Sequence, residues 1–366
     1  MNWWVYCIGF FAACAIAVLI MPYIKKLAFK IGAVAIPNHR TVHTKPMPQM
    51  GGLAIFVAFA VTYLIVALSI GEYDLDVMVG MLAGGGIIVL VGVIDDRKNI
   101  SPKLKLLGQI VAACMLPLNG LSVDYIQLPF GDAINVYPWI GMAITVLWVV
   151  GVTNAVNLID GLDGLAAGVS AIATLTIMVL AFMTGNTPVA LLSAILLGSI
   201  LGFLFFNFHP ASIFMGDTGA LFLGFSLATL SILGFKSAVA ISFLVPILVL
   251  GVPLSDTVLA IIRRKLNNKP ISVADKGHLH HCLMEMGFST RKAVLIIYGV
   301  AAIFGSCAML LSQTKQWGTI TLVVIVLLIM EIGAEAVGIL SKSRKPVLQL
   351  LQRWLSDSPS RSRASK

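Results

Sequence analysis

Charge is what this sequence has least of. Only 11% of its 366 residues are Asp, Glu, Lys or Arg, against about 25% in ordinary soluble domains, while 58% are hydrophobic. That shortage excludes a water-soluble fold for most of the chain. Cysteine is also scarce. Cys7, Cys14, Cys114, Cys282 and Cys307 form an odd, scattered set, four of them inside apolar runs, which excludes a disulfide framework. No basic residue precedes the first apolar run, and Lys25 and Lys26 follow it, so a cleaved signal peptide is not expected. No fixed-period repeat is present. The longest polar connection, 263–292, has about 30 residues, too few for an independent core.

Long apolar runs dominate instead. Runs of roughly 18 or more such residues can cross about 30 Å of hydrocarbon as helices, and a helix satisfies its own backbone hydrogen bonds where water is absent. The sequence therefore predicts an all-α, polytopic integral membrane bundle. Eleven spans are expected, at 3–24, 50–70, 77–95, 105–118, 138–156, 165–184, 188–206, 214–234, 238–262, 293–312 and 317–340. The fourth is short and holds Pro117, so ten is the alternative count. Residues 1–340 form one transmembrane domain, and 341–366 a basic tail.

The few cations set the orientation. With the N-terminus outside, the inner segments carry 23 of the chain's 25 Lys and Arg, and only Lys236 and Lys315 fall elsewhere. The crowded face is then cytoplasmic, as is the C-terminus. The net charge of +9 reflects this asymmetry and requires no nucleic-acid partner. It favours anionic lipids and anionic substrates on the inner face. In the tail, Val347, Leu350, Leu351 and Trp354 share a helical face flanked by basic residues, the pattern of an amphipathic helix lying on a leaflet.

Against this background six carboxylates stand out: Asp95, Asp96, Asp160, Asp163, Asp217 and Asp256, all at the inner ends of spans. Ionisable groups at such positions are costly and usually functional. Asp95 and Asp96 are adjacent like charges that a cation would relieve, with Lys103 and Lys105 close by. Taken alone, such a pair reads as a solvated helix end. Asn154, Asn157 and Asp160 recur in steps of three and remain mutually within reach on a helix. Oxygen ligands of this kind suit Mg²⁺. A calcium loop starting at Asp160 would need Glu where Ala171 stands, which rules that motif out. Asp217 opens an apolar run and could equally cap it.

Two basic segments complete the inventory. His278, His280 and His281 lie near Arg263, Arg264 and Lys265. Their H-x-H-H spacing is not that of a zinc site, and imidazole with guanidinium suits phosphate oxygens. Arg40, His43 and Lys45 charge the loop before a Gly51-Gly52 turn. Metal-type acids, phosphate-type bases and glycine turns on one membrane face are what phosphoryl transfer requires.

The segments GVIDDRKNISPKLKLLGQ, NAVNLIDGLDGLAAG, NFHPASIFMGDTG and DKGHLHH, in this order, closely resemble the polyprenyl-phosphate N-acetylhexosamine-1-phosphate transferase family over nearly all of residues 1–340. The resemblance implies a bacterial plasma-membrane enzyme that moves a sugar-1-phosphate from a UDP-sugar to a polyprenyl phosphate on the cytoplasmic side, with Mg²⁺ as cofactor and Mn²⁺ able to replace it. It also implies residue roles. Asp95, Asp96 and Asp160 are the catalytic carboxylates. Asp95 and Asp96 face the lipid phosphate, and Asp95 takes its proton or orients it. Asp217 and Asn157 hold the metal. Asn154, Asp163, His278, His280, His281, Arg40, His43 and Lys103 contact substrates, the histidines near the diphosphate and Asp163 near the nucleotide. Direct in-line attack and a two-step route through an aspartyl-phosphate both fit. A homodimer is compatible with the sequence.

HLHH in place of three successive histidines, together with Pro37, Asn38, Arg40 and His43, resembles the N-acetylglucosamine branch. UDP-GlcNAc and undecaprenyl phosphate are then the substrates, and teichoic-acid or other surface-glycan initiation the role. Ala35 and Ile36 depart from the charged pair usual there. UDP-MurNAc-pentapeptide is the alternative donor. A secondary transporter is the alternative of another class, although it would place its charges at mid-membrane.

Overall fold

The computed structural model describes residues 2–36, 46–71, 74–127, 133–235, 244–268, 270, 277–314 and 316–337. Arg40, His43 and the tail 341–366 lie outside them. The helices are α1 (Trp3–Ile31), α2 (Gly52–Ile70), α3 (Leu75–Lys98), α4 (Pro102–Leu118), α5 (Pro138–Ile159), α6 (Leu165–Met183), α7 (Thr187–Asn207), α8 (Gly216–Phe235), α9 (Leu244–Val249), α10 (Gly251–Leu266), α11 (Leu279–Glu285), α12 (Thr290–Gln313) and α13 (Gln316–Val337). Among the described residues, eight helices are long and apolar enough to cross a membrane. The protein is thus an all-α, polytopic membrane bundle. Two short antiparallel ribbons join it: β1 (Val34–Ala35) with β2 (Met47–Pro48), and β3 (Tyr125–Gln127) with β4 (Ala133–Asn135).

Local chemistry sets the helix ends. Asp74 accepts the backbone N–H groups of Asp76 and Val77 and starts α3. Ser101 with Pro102 at the first helical position starts α4. Asn186 caps α7 through the Val189 N–H. The span expected at 238–262 is not one helix where it is described. α9 gives way to α10 at Leu250. Pro253 explains the break: it has no N–H, and its ring crowds the carbonyl of Val249 one turn back.

α6, α7 and α8 form the interior, and α1, α3, α5 and α12 are buried on only part of their surface. Outward side chains such as Phe11, Leu19, Leu90, Leu147 and Phe205 are exposed and apolar, as lipid contact requires. Some of the buried hydroxyls bond within their own helices. Thr174, Thr229 and Ser199 donate to the carbonyls of Ser170, Phe225 and Ile195, four residues back.

α8 is gripped where it begins. Gly51 and Gly52 donate to the Phe214 and Met215 carbonyls, and Phe214 donates to that of Pro48. The Cα atoms of Gly52 and Gly219 meet so closely that a Cβ on Gly52 would overlap Gly219. Gly52→Leu is therefore expected to cost about 3 kcal/mol, since overpacked backbone cannot relax as a side chain can. Loss of the monodisperse peak on size exclusion in detergent would report it. Gly299→Ala, in open space on α12, is the control and should leave that peak intact.

Candidate active site

Four helix ends converge where α8 begins: the C-termini of α3 and α5 and the N-termini of α4 and α8. The Lys105 ammonium, in the first turns of α4, lies 2.6 Å from Asp217 Oδ2, 3.1 Å from Asp95 Oδ2 and 3.2 Å from Asn157 Oδ1. Asn157 also donates its Nδ2–H to Asp217 Oδ1, at 2.6 Å. One cation is thus enclosed by oxygens from three helices.

That donor set fits a hard divalent ion. Among the described residues no three Asp, Glu, His or Cys side chains converge on one point, so the protein can offer two carboxylates and an amide oxygen here. Mg²⁺ is usually held by one or two carboxylates, with water and substrate phosphate completing its shell.

Asp96 acts differently from Asp95. Its Oδ1 accepts the Asp217 N–H at 2.7 Å, and its Oδ2 accepts the Thr218 N–H at 3.1 Å and the Thr218 hydroxyl at 2.6 Å. Both oxygens are engaged in capping α8 from another helix, at the positive end of its dipole. Gly216 has φ +69°, and a Cβ there would strike the Asp96 carboxylate, so the turn requires glycine twice over. Asp96 therefore sets where Asp217 sits.

The turn from α5 to α6 carries two more acids. The Asp160 carboxylate has no hydrogen-bond partner among the described residues. Removal from water pushes it up to about 7, and the charges of Asp217, Asp96 and Asp163 add to the effect. Asp163 is engaged: its Oδ2 lies 2.8 Å from His209 Nδ1 and accepts the Ala211 N–H. Gly164 donates its N–H to Asn207 and accepts the Tyr298 hydroxyl at 2.5 Å. Asn154 exchanges amide hydrogen bonds with buried Gln109 and donates to the Val150 carbonyl, which ties α5 to α4.

The histidine segment approaches from the other side. His278 Nδ1 lies 2.7 Å from Asp256 Oδ2, both side chains being buried. His280 is buried too, and its Nε2 has no hydrogen-bond partner among the described residues. A Cβ on Gly161 would collide with that imidazole, so α11 leans directly on the Asp160–Asp163 turn. Burial, then the charge of His281, pulls His280 down to about 4, leaving it neutral at ordinary pH. His281 is exposed.

The structure thus gathers Asp95, Asp96, Asn157 and Asp217 with Lys105, and sets Asp160, Asp163 and the histidines beside them. Lys103 is exposed, and Lys105, half a turn further on, is the lysine that reaches the acids. Arg40 and His43 lie outside the described residues. The sequence marks Lys105 only as a cation near Asp95 and Asp96, with no site role, and does not single out His209, Gln109 or Tyr298. Lys105 carried a signal, since Ser101-Pro102 fixes the start of α4 and puts it in the turn facing Asp95. The others become visible only through contacts between distant segments.

Residues 78–235, which include Asp95, Asn157 and Asp217, match the family model described as glycosyl transferase family 4. The chain is 44% identical, over 94% of its length and 96% of the relative's, to a probable undecaprenyl-phosphate N-acetylglucosaminyl 1-phosphate transferase of Bacillus subtilis. It is 36% identical, over 84% of its length and 82% of the relative's, to a decaprenyl-phosphate N-acetylglucosaminephosphotransferase of Mycolicibacterium smegmatis. It is 32% identical, over 82% of its length and 93% of the relative's, to a phospho-N-acetylmuramoyl-pentapeptide-transferase of Halalkalibacterium halodurans.

Proposed function

Because the chain belongs to glycosyl transferase family 4, in the branch of the polyprenyl-phosphate N-acetylglucosamine-1-phosphate transferases, we propose that it transfers GlcNAc-1-phosphate from UDP-GlcNAc to undecaprenyl phosphate. An oxygen of the lipid phosphate attacks the phosphorus that carries the sugar. A new diphosphate bond forms, the bond to the uridylyl phosphate breaks, and its electron pair leaves with UMP. The products are UMP and undecaprenyl-diphosphate-GlcNAc, the starting unit for a teichoic acid or another surface glycan.

The observation that carries this reading is the Lys105–Asp95–Asp217–Asn157 cluster. Phosphoryl transfer needs positioned groups and neutralised charge more than covalent chemistry from the protein. Asp95 orients the attacking lipid phosphate and accepts any proton it carries. Lys105 holds Asp95 and Asp217 together and presents positive charge to phosphate. Asp217 and Asn157 would hold Mg²⁺, which when bound would offset charge on the leaving phosphate; Mn²⁺ suits the same oxygens. Asp160 lies beside the nucleotide. His281 reaches the diphosphate from the exposed side of α11, with His278 and His280 behind it.

Eleven crossings follow if α9 and α10 share one and α11 stays outside the bilayer. With that count, the positive-inside rule supports an N-terminus outside and a site at the cytoplasmic face, the side that would carry 23 of 25 Lys and Arg. These cations favour anionic lipids. The acids lie at helix ends rather than mid-membrane, which is where a transferase meets a soluble nucleotide and not where a transporter binds its cargo.

The test is a side-by-side assay of purified protein with undecaprenyl phosphate and labelled UDP-GlcNAc or UDP-MurNAc-pentapeptide. Label should enter organic-extractable lipid from UDP-GlcNAc. Labelling from the pentapeptide donor alone would overturn the assignment.

A further inference from the structure

Asp256 has no part in the cluster around Lys105, yet it is a buried carboxylate with two tightly held partners. Its Oδ1 accepts the Leu279 N–H at 2.8 Å and its Oδ2 meets His278 Nδ1 at 2.7 Å. The N–H groups of a helix's first turn lack partners within the helix. Asp256 on α10 supplies one for α11 and grips the adjoining imidazole at the same time. His278 lies nearly parallel to His280, 9° between planes and 6.0 Å between centroids, and His280 presses on Gly161. A small cavity lined by Ile159, Asp256, Leu279 and His280 shows that these groups face a common space between α5, α10 and α11.

The geometry points to Asp256 as a positioning residue for the nucleotide-sugar side of the site. Its carboxylate takes the Nδ1–H of His278 and thereby fixes that ring's tautomer and orientation. Its second oxygen holds the start of α11, so that the histidine segment docks on the turn carrying Asp160 and Asp163. This inference rests on the reading that the histidine segment meets the donor diphosphate. Asp256 acts through His278 and touches no substrate.

Asp256→Asn is nearly isosteric but cannot accept at both oxygens. The expected result is a KM for UDP-GlcNAc raised about tenfold, an unchanged KM for undecaprenyl phosphate, and faster hydrogen exchange in residues 278–285. Combined with His278→Ala it should do no more harm than His278→Ala alone, because both changes break one linkage. An unchanged KM for UDP-GlcNAc in Asp256→Asn, or losses that multiply in the double variant, would overturn the proposal. The exchange measurement separates it from the donor assignment. If the unaltered protein transfers nothing from UDP-GlcNAc, the function fails, while faster exchange in Asp256→Asn still upholds the docking of α11. Unchanged exchange refutes the docking whatever the activity.

Discussion

Asp217→Ala lowers transfer by about 10³-fold while the protein still folds. Asp217 presents one oxygen to Asn157 and the other to Lys105, so alanine removes the acid at the centre of the cluster. It leaves the scaffold in place, because α8 is capped by Asp96 and the Asp217 backbone N–H that Asp96 accepts survives the substitution. Lys105 keeps Asp95 as its counter-ion. Asp217→Asn should be nearly as damaging, because the amide keeps the shape and loses the charge that phosphoryl transfer needs balanced. The measurement is labelled GlcNAc entering lipid, alongside size exclusion in detergent. Near-normal magnesium-dependent turnover by a well-folded Asp217→Ala protein would remove Asp217 from its proposed role.

Hydropathy located the helices well because exposure to lipid is a property of each segment by itself. The run expected at 165–184 is α6, and that at 188–206 is α7, each within a residue or two. The break between α9 and α10 was harder to read: Pro253 lies within a run apolar enough to cross the membrane whole, and hydropathy does not register a missing N–H. The acids were legible as a group because charge is so rare in this chain. Their division of labour was not. Asp95 and Asp96 are neighbours in sequence, yet one faces Lys105 and the other caps a helix 121 residues away. Only the packing of α3 against α8 separates them, through Gly92, where a Cβ would overlap the Thr218 backbone. Asp256 stood out as an acid, but nothing in the sequence pointed to His278 as its partner, 22 residues on and beyond a helix end.

Lys105→Met should cost about 10²-fold or more in turnover, and the reason lies in the charges it leaves behind. Asp95 and Asp217 both approach its ammonium within 3.1 Å, so without it two carboxylates face each other with no cation between them. At an effective dielectric of about 20, like charges roughly 4 Å apart repel by about 4 kcal/mol. The pair would take up a proton or another cation, or splay apart. Lys105→Arg should recover little. A planar guanidinium pairs edge-on with one carboxylate, whereas a compact ammonium can meet three oxygens around a single point. Magnesium titration distinguishes a counter-ion from a group that also meets substrate phosphate. If Lys105 only separates the two acids, saturating magnesium should restore Lys105→Met to the unaltered rate. If Lys105 also contacts phosphate, the loss persists at every magnesium concentration and KM rises for one of the two phosphorylated substrates. The second result is expected, because in the proposed reaction the cluster's lysine stands where the lipid phosphate meets the nucleotide sugar. Restoration to the full rate would reduce Lys105 to a spacer between two carboxylates.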